Sequence, residues 1–299
     1  MQNMFYINSS EEVINQYAGA DKKRTVIIDN EKYLVKLPSL ANHNYEASYT
    51  NNVFSEYIGC HIFNSIGIKA QETYIGEFKD DREVLKYACA CKDFTTSNWH
   101  LIEFQKLKNS YNDDTENTSS GRSTKLASIE EVILNHKLIP NKEELHEFFW
   151  NMFIIDALIG NFDRHNGNWG ILVNEEGNVK IAPVYDCGSA LFAQLTDEQM
   201  AVILKKKNEM NDRVYNRPTS TLLINDKRIN YYNFITSMAN ENCNKAILTI
   251  VPKINMLKIN EIIDNTPYIS DIRKTFYKEI LKRRYEKILL FTYKKLTNK

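Results

Sequence analysis

Twelve residues constrain this chain more than any others: Ile159-Gly160-Asn161-Phe162-Asp163-Arg164-His165-Asn166-Gly167-Asn168-Trp169-Gly170. An apolar run from Phe148 to Leu158 leads in, and Ile171-Leu172-Val173 leads out. Polar groups this dense between two core-like segments imply a loop held on a rigid scaffold, the usual place for chemistry. Twenty residues after Asp163 begins Pro183-Val184-Tyr185-Asp186-Cys187-Gly188, directly behind a strand-like run from Val179 to Ala182. Phosphoryl transfer needs such parts: a carboxylate to accept a hydroxyl proton, and an amide oxygen with a second carboxylate to hold magnesium on ATP. A hairpin turning at Asn174 to Asn178 would return Asn168 and Asp186 to one end. Taken singly, Asp163 and Asn168 are also good turn caps, and Asp186 a good turn opener. Their order between apolar strands is what favours catalysis.

A second group of residues precedes this one. Residues 15–24, which include Ala18, Gly19 and Ala20, read as a small-residue loop before a hairpin, able to close backbone N–H groups over phosphates. With one glycine the loop falls short of G-x-G-x-x-G. Thr25 to Ile28 and Tyr33 to Pro38 form the expected hairpin around an Asp29-Asn30-Glu31-Lys32 turn. Lys36 stands in an otherwise apolar strand, so its ammonium must snorkel, find a partner or face a ligand. A helical pattern over Thr50 to Ser65 carries Glu56, and a strand Lys followed by a helix Glu suits the ion pair that fixes a phosphate-binding lysine. Two further strands, Gln71 to Phe78 and Val84 to Cys91, lead to Lys92-Asp93-Phe94-Thr95-Thr96. That connection is either an adenine-contacting hinge or an ordinary loop.

Composition narrows the partners. Lys plus Arg equals Asp plus Glu at 38 each over 299 residues, so no global field draws the chain to nucleic acid or membrane. Its five cysteines contain no C-x-x-C pair and read as free thiols in a reducing cytoplasm. No Sec-type signal is legible at the N-terminus, although export by a specialised system would leave no such mark.

The rest reads as helical. Asn98 to Lys108 is expected to be a short helix and Asn109 to Lys125 a mobile polar insertion. Ile129 to Leu134 and Asn141 to Ile159 are expected helices, the second opened by a capping box and buried under the catalytic loop, with Asp156 as hydrogen-bonded structure. A helix is expected near Asp197 to Met210, a linker over Val214 to Thr221, and further helices over Tyr232 to Ala239, Lys245 to Val251, Asn260 to Ile263 and Asp271 to Leu296. The last of these reads as a solvated basic amphipathic helix, Arg284 included.

Tyr-x-Val-Lys-Leu-Pro around Lys36, Ser55-Glu56, Asn161-x-Asp163-Arg164-His165-x-x-Asn168 and Ala182-Pro183-x-Tyr185-Asp186 together resemble the HipA family, most closely its compact stand-alone members. The resemblance covers nearly the whole chain to about Phe192. It implies an α+β, two-lobed protein-kinase-like fold, with a β-rich lobe over residues 1–96 and a helical lobe over 97–299. It also implies a serine/threonine protein kinase using ATP and Mg2+, with autophosphorylation and a toxin or effector role. Asp163 would be the catalytic base, and Asn168 and Asp186 the magnesium ligands. Lys36 would contact the phosphates and Glu56 would pair with it. Ala18, Gly19 and Ala20 would lie in the phosphate loop, while Lys92, Asp93, Phe94 and His165 complete the nucleotide contacts. HipA toxins carry an extra N-terminal subdomain that binds an antitoxin partner. Here the loop starts near residue 15, so that subdomain is expected to be absent, and the antitoxin-like partner stays an open question. The loop serine that HipA phosphorylates to silence itself aligns near Gln16.

Two other classes compete. A lipid or small-molecule kinase related to phosphoinositide kinases would share Asp-Arg-His-x-x-Asn, but Ser189 to Met200 carries no Lys or Arg for a lipid headgroup. A non-catalytic nucleotide-binding regulator would not need the full set of chemical residues. A protein substrate is therefore the expected partner, and its identity is not encoded in any legible motif.

Overall fold

The computed structural model describes residues 5–6, 11–13, 23–38, 51–79, 83–114 and 120–298. The expected phosphate-loop residues Ala18, Gly19 and Ala20 lie outside them. The N-terminal region is built on a six-stranded sheet of order β1-β5-β6-β4-β3-β2. Its strands are β1 (Phe5–Tyr6), β2 (Glu11–Val13), β3 (Lys23–Ile28), β4 (Glu31–Lys36), β5 (Thr73–Lys79) and β6 (Leu85–Lys92). β1 runs parallel to β5, and the remaining pairs are antiparallel. The β3–β4 turn is tighter than the sequence suggests. Only Asp29 and Asn30 form it, at φ 52° and 62°, the left-handed values a two-residue hairpin demands and these residue types tolerate.

The period of two along β4 sorts its side chains. Tyr33, Val35 and Leu37 join Val26, Phe78, Ala88 and Ala90 in a small core on one face of the sheet. Leu34 and Lys36 take the opposite face, opposite Cys91 and Cys89 in register. Against that face packs α1 (Asn52–Ser65), which is buried along nearly its whole length because α9 (Met256–Asp264) covers its other side. Tyr87 of β6 stacks on Tyr268 at 4.1 Å, a second bond between the sheet and the helical region.

The C-terminal region is helical, with two small sheets. One has order β7-β8-β9, from β7 (Trp99–Glu103), β8 (Gly170–Asn174) and β9 (Val179–Ile181). β7 corrects the expected helix over 98–108. Trp99 to Glu103 pairs residue by residue with Asn174 to Gly170, and helix begins only at α2 (Phe104–Asp114). An exposed strand edge outcompetes a helical tendency that no cap supports. The described parts of the polar stretch, residues 109–114 and 120–125, are also more ordered than expected. α2 runs to Asp114, and Gly121 N donates to Asn109 Oδ1 at 2.8 Å while the fully buried Lys108 donates to Ser123 O at 2.6 Å.

Helices α3 (Leu126–Asn135) and α4 (Lys142–Ile159) come next, the latter capped by Asn141 accepting from Glu144 N. The helix expected near 197–210 breaks at Lys206 into α5 (Asp197–Lys205) and α6 (Lys207–Tyr215). The expected linker holds strand instead, since β10 (Thr219–Ile224) pairs antiparallel with β11 (Lys227–Asn230). α7 (Tyr231–Ser237), α8 (Glu241–Ile250) and α9 precede α10 (Asp271–Arg284), which continues through a π-helical stretch, Tyr285–Leu290, into α11 (Phe291–Thr297). This terminal helix is core, not a solvated face. Phe276, Tyr277, Ile280 and Leu281 are buried, and so is Arg284, which donates to the carbonyls of Ala157, Arg213 and Arg217. Burial pulls the Arg284 guanidinium down to about 10.

Candidate active site

α4 ends at Gly160, whose φ of 67° turns the chain out of the helix and into the polar loop. Asp156, one turn before that end, is 1 % exposed and organises the loop from beneath. It accepts from Asn161 Nδ2 at 2.9 Å and from Arg164 Nε and Nη2 at 3.0 and 3.2 Å. The same guanidinium donates to Asn168 O at 2.8 Å, to Tyr185 O and to Cys187 Sγ at 3.4 Å. Burial opposes the Arg164 charge, but Asp156 outweighs it and the pKa is raised well above the ordinary value. One buried ion pair therefore ties the Asp163 loop to the segment that carries Asp186. The sequence marks Arg164 only as part of a motif; its role shows once Tyr185 and Asn168 are seen to share it.

Within this frame Asp163 is half-buried, and its side chain makes no hydrogen bond among the described residues. Its backbone is held by Asn161 Oδ1, which accepts from Asp163 N at 3.2 Å, and by Asn168 Nδ2, which donates to Asp163 O at 2.8 Å. Burial raises the Asp163 pKa; Asp186 adds to the rise, while His165 and Arg228 oppose it. The amide nitrogen of Asn168 is committed to that carbonyl, so its oxygen is the end left to serve the cleft.

Asp186 has φ 60° and receives Lys36 Nζ on Oδ1 at 2.8 Å. Its backbone N–H donates to Glu56 Oε1 at 3.1 Å. Glu56 Oε2 lies 2.9 Å from Lys36 Nζ, an ion pair without hydrogen-bond alignment. Burial works against the Lys36 charge, but Asp186 and then Glu56 outweigh it, and its pKa is raised well above the lysine value. The strand lysine does not snorkel: it sits between two carboxylates from two other elements. The register is fixed from both sides, because Gln71 N donates to Val184 O at 2.8 Å and Val184 N to Lys69 O at 2.9 Å. Gly59 lets α1 come close: a Cβ there would stand 2.6 Å from Cys187 Cβ.

Of these groups Lys36, Asn168, Tyr185 and Asp186 line a cleft, while Asp163 and Glu56 are not part of its lining. Leu34, Phe94 and Leu101 supply its apolar wall, and Lys36, Gln71, Glu103, Asn168 and Asp186 its polar one. Of the hinge residues, Phe94 faces the cleft, its ring 5.7 Å from that of Tyr185. Asp93 also borders it, but its carboxylate is engaged by Thr95 at 2.9 and 2.7 Å and by Lys32 at 3.1 Å. The Lys92 ammonium pairs with Glu31 at 3.1 Å outside the lining, and its carbonyl accepts from Gln71 Nε2 at 2.9 Å. His165 Nδ1 accepts from Gly167 N at 3.0 Å. Glu103 and Gln71 are cleft residues with no sequence signal; both sit at strand ends whose positions only the pairing reveals.

Magnesium fits the donors present. A carboxylate at Asp186 and an amide oxygen at Asn168 are hard oxygen ligands, few enough that phosphate oxygens and water would complete an octahedron. Among the described residues no three His, Cys, Asp or Glu side chains gather as a metal site, and no helix is long and apolar enough to cross a membrane.

Comparison with known proteins settles the family. Residues 16–255 match the HipA-like C-terminal domain. The chain belongs to the HipA-like family. It is 45 % identical over 276 residues to the serine/threonine-protein kinase CtkA of Helicobacter pylori, covering 91 % of this chain and 82 % of that one. The crystal structure of the Helicobacter pylori proinflammatory kinase CtkA superposes with a TM-score of 0.90 at 41 % identity, over 99 % of this chain and 98 % of the other. HipA of Shewanella oneidensis MR-1, solved with HipB and operator DNA, shares the fold at a TM-score of 0.58 and 14 % identity, over 95 % of this chain and 67 % of the other. The chain is thus an ATP-dependent serine/threonine kinase of HipA type, with the α+β architecture of a β-rich N-terminal and a helical C-terminal region. The family implies use of ATP and Mg2+ and a protein substrate.

Proposed function

We propose that the cleft binds ATP with magnesium and transfers the γ-phosphate to serine or threonine hydroxyls of a protein, this chain's own among them. The observation that carries the assignment is the Lys36 ammonium held between Glu56 and Asp186, at the mouth of the loop that bears Asp163 and Asn168. Division at the hinge, with a small lobe to residue 96 and a large lobe from 97, puts this triad across the boundary.

In this reading Leu34 and Phe94 offer apolar surface to the adenine, and Lys36 presents its charge to the phosphates. The family resemblance assigns Ala18, Gly19 and Ala20, which lie outside the described residues, to the phosphates. Glu56 keeps Lys36 in place and, by accepting from Asp186 N, keeps Asp186 in place as well. Asn168 Oδ1 and Asp186 would hold the metal, which supplies charge neutralisation on the transferring phosphate. Asp163 orients the acceptor hydroxyl and takes its proton at a carboxylate oxygen. His165, through Gly167, and Arg164, through Asp156, keep that oxygen in register. The five free thiols, all buried, fit a reducing compartment such as the cytoplasm.

The test is incubation with γ-labelled ATP and magnesium, alone and with protein acceptors, and then phosphosite mapping. Wild-type protein should label Ser or Thr, and Asp163→Asn should not. Equal labelling by both would refute the assignment of the base.

A further inference from the structure

The outer flank of the Asp163 loop is framed by two segments whose roles the transfer chemistry does not use. The first is the β10–β11 hairpin. Thr221 Oγ1 donates to Arg164 O at 2.8 Å, and Tyr231, directly after β11, donates its hydroxyl to Asn161 O at 2.6 Å. These anchors fall on either side of Asp163 in the sequence. In the hairpin Arg228 pairs with Leu223; Ile229 is buried beside it, so Arg228 takes the exposed face. The anchors on Asn161 O and Arg164 O hold the hairpin that carries Arg228 beside the Asp163 loop, and the Arg228 charge works against the rise of the Asp163 pKa.

The second segment is 120–125. Asn166 Nδ2 donates to Gly121 O at 2.8 Å and to Ser123 O at 2.9 Å, so Arg122 is carried between two carbonyls fixed to the catalytic loop. Thr124 Oγ1 donates to Thr221 O at 2.7 Å, and Lys125 bridges Leu223 in parallel, which joins the segment to the hairpin. The frame is therefore continuous and rigid.

Arg122, Lys227 and Arg228 are exposed on this frame and form no ion pair among the described residues. Their neighbours behave differently. Lys125 pairs with Asp226, Arg213 with Glu209, Arg217 with Asp212 and Arg283 with Glu279. Arg122 and Arg228 are thus guanidiniums without a carboxylate partner among the described residues, on segments bonded to the Asp163 loop. A guanidinium in such a place suits a carboxylate or phosphate bidentately, and a rim charge steers encounter more than it tightens the final complex.

We propose that Arg228, with Arg122, selects the protein substrate by taking an anionic side chain close to the acceptor hydroxyl, so that acceptors in acidic surroundings are preferred. This rests on Asp163 being the base and adds a substrate class to that reading.

Two acceptor peptides decide it, identical except for Glu or Lys at the positions flanking one serine, assayed with ATP and magnesium. The acidic peptide should be used with kcat/KM about tenfold higher or more, the difference residing in peptide KM and shrinking with added salt. Arg228→Glu should abolish or invert the preference and leave the KM for ATP unchanged; Arg228→Gln should fall between. Equal use of the peptides, preference for the basic one, or a rise confined to the KM for ATP would overturn the proposal, the last by assigning the guanidinium to the nucleotide. Use of neither peptide overturns it too. Self-labelling or ATP hydrolysis retained in that case shows that the kinase reading stands by itself.

Discussion

Lys36→Met is the most informative single change, because the structure fixes what it leaves behind. Glu56 has a side-chain exposure of 0 %, and removing Nζ strands its carboxylate with only the Asp186 N–H and the Cys60 thiol for company. An orphaned buried charge costs about 3–5 kcal/mol. The Asp186 side of the pair adds little to that, since its carboxylate is 33 % exposed and water screens it. Stability should fall by about 3 kcal/mol, read from denaturant unfolding without nucleotide, and turnover by at least about a hundredfold, or 2.7 kcal/mol of barrier. Glu56→Gln should cost less turnover, because the amide oxygen can still accept from Asp186 N while its nitrogen faces the ammonium. The double variant carries the decision. Its turnover should be no worse than that of Lys36→Met, and its stability should partly recover, because no charge is left buried. Additive losses in turnover, or no recovery of stability, would refute the coupling inferred here. The Lys36 contribution should be insensitive to pH near neutrality: a lysine whose folded pKa is raised gives stability that is complete below the ordinary lysine value and fades only as pH climbs through the raised one.

Asp163→Asn should keep ATP–magnesium binding, measured by calorimetry, and lose at least about a hundredfold in turnover. Because burial raises the Asp163 pKa, the folded state holds that proton more tightly than the unfolded chain. The ionised carboxylate therefore weakens the fold at neutral pH, the penalty fades as pH falls through the raised value, and the Asn variant should be no less stable than wild type. The acid limb of the kcat/KM profile should lie above the ordinary aspartate range and vanish in that variant. Asp186→Ala should abolish magnesium-dependent nucleotide binding; unchanged affinity by calorimetry would remove Asp186 from the metal site. Arg164→Lys should lower both stability, by about 3 kcal/mol, and turnover, since a lysine cannot serve Asp156, Asn168 O and Tyr185 O at once; a wild-type melting curve would contradict that.

Much of the triad is legible in the sequence. Lys36 stands out because a cation in an apolar strand needs a reason, and Glu56 because it comes next on a helix. Their true geometry is not legible. Nothing in the sequence tells that Lys36 pairs with Asp186 as well as with Glu56. β7 escapes a local reading because Trp99 to Glu103 becomes strand only when β8, some seventy residues on, offers an edge. The start of β10 reads as the end of a linker over Val214 to Thr221, and its strand shows only in the pairing with β11, across a turn at Asn225 and Asp226 whose φ, 50° and 60°, are those of a two-residue hairpin. Arg284 reads as solvent-facing because a basic helix normally is solvated; three carbonyls from distant segments overrule the pattern.

The tight seat of α1 bears on how small molecules could discriminate this kinase. Compounds that gain selectivity by prising such a helix outward need a hollow behind it. Here Gly59 rests against Cys187 with no room for a methyl group, Asn51 N donates to Ala193 O at 3.2 Å, and α9 closes the far side. Opening that hollow would mean breaking the helix free of the C-terminal region altogether. Discrimination would have to come from the front of the cleft instead, where the Glu103 carboxylate and the Gln71 amide stand on the wall. A ligand with a cationic arm toward Glu103 would exploit a feature this chain presents without moving anything.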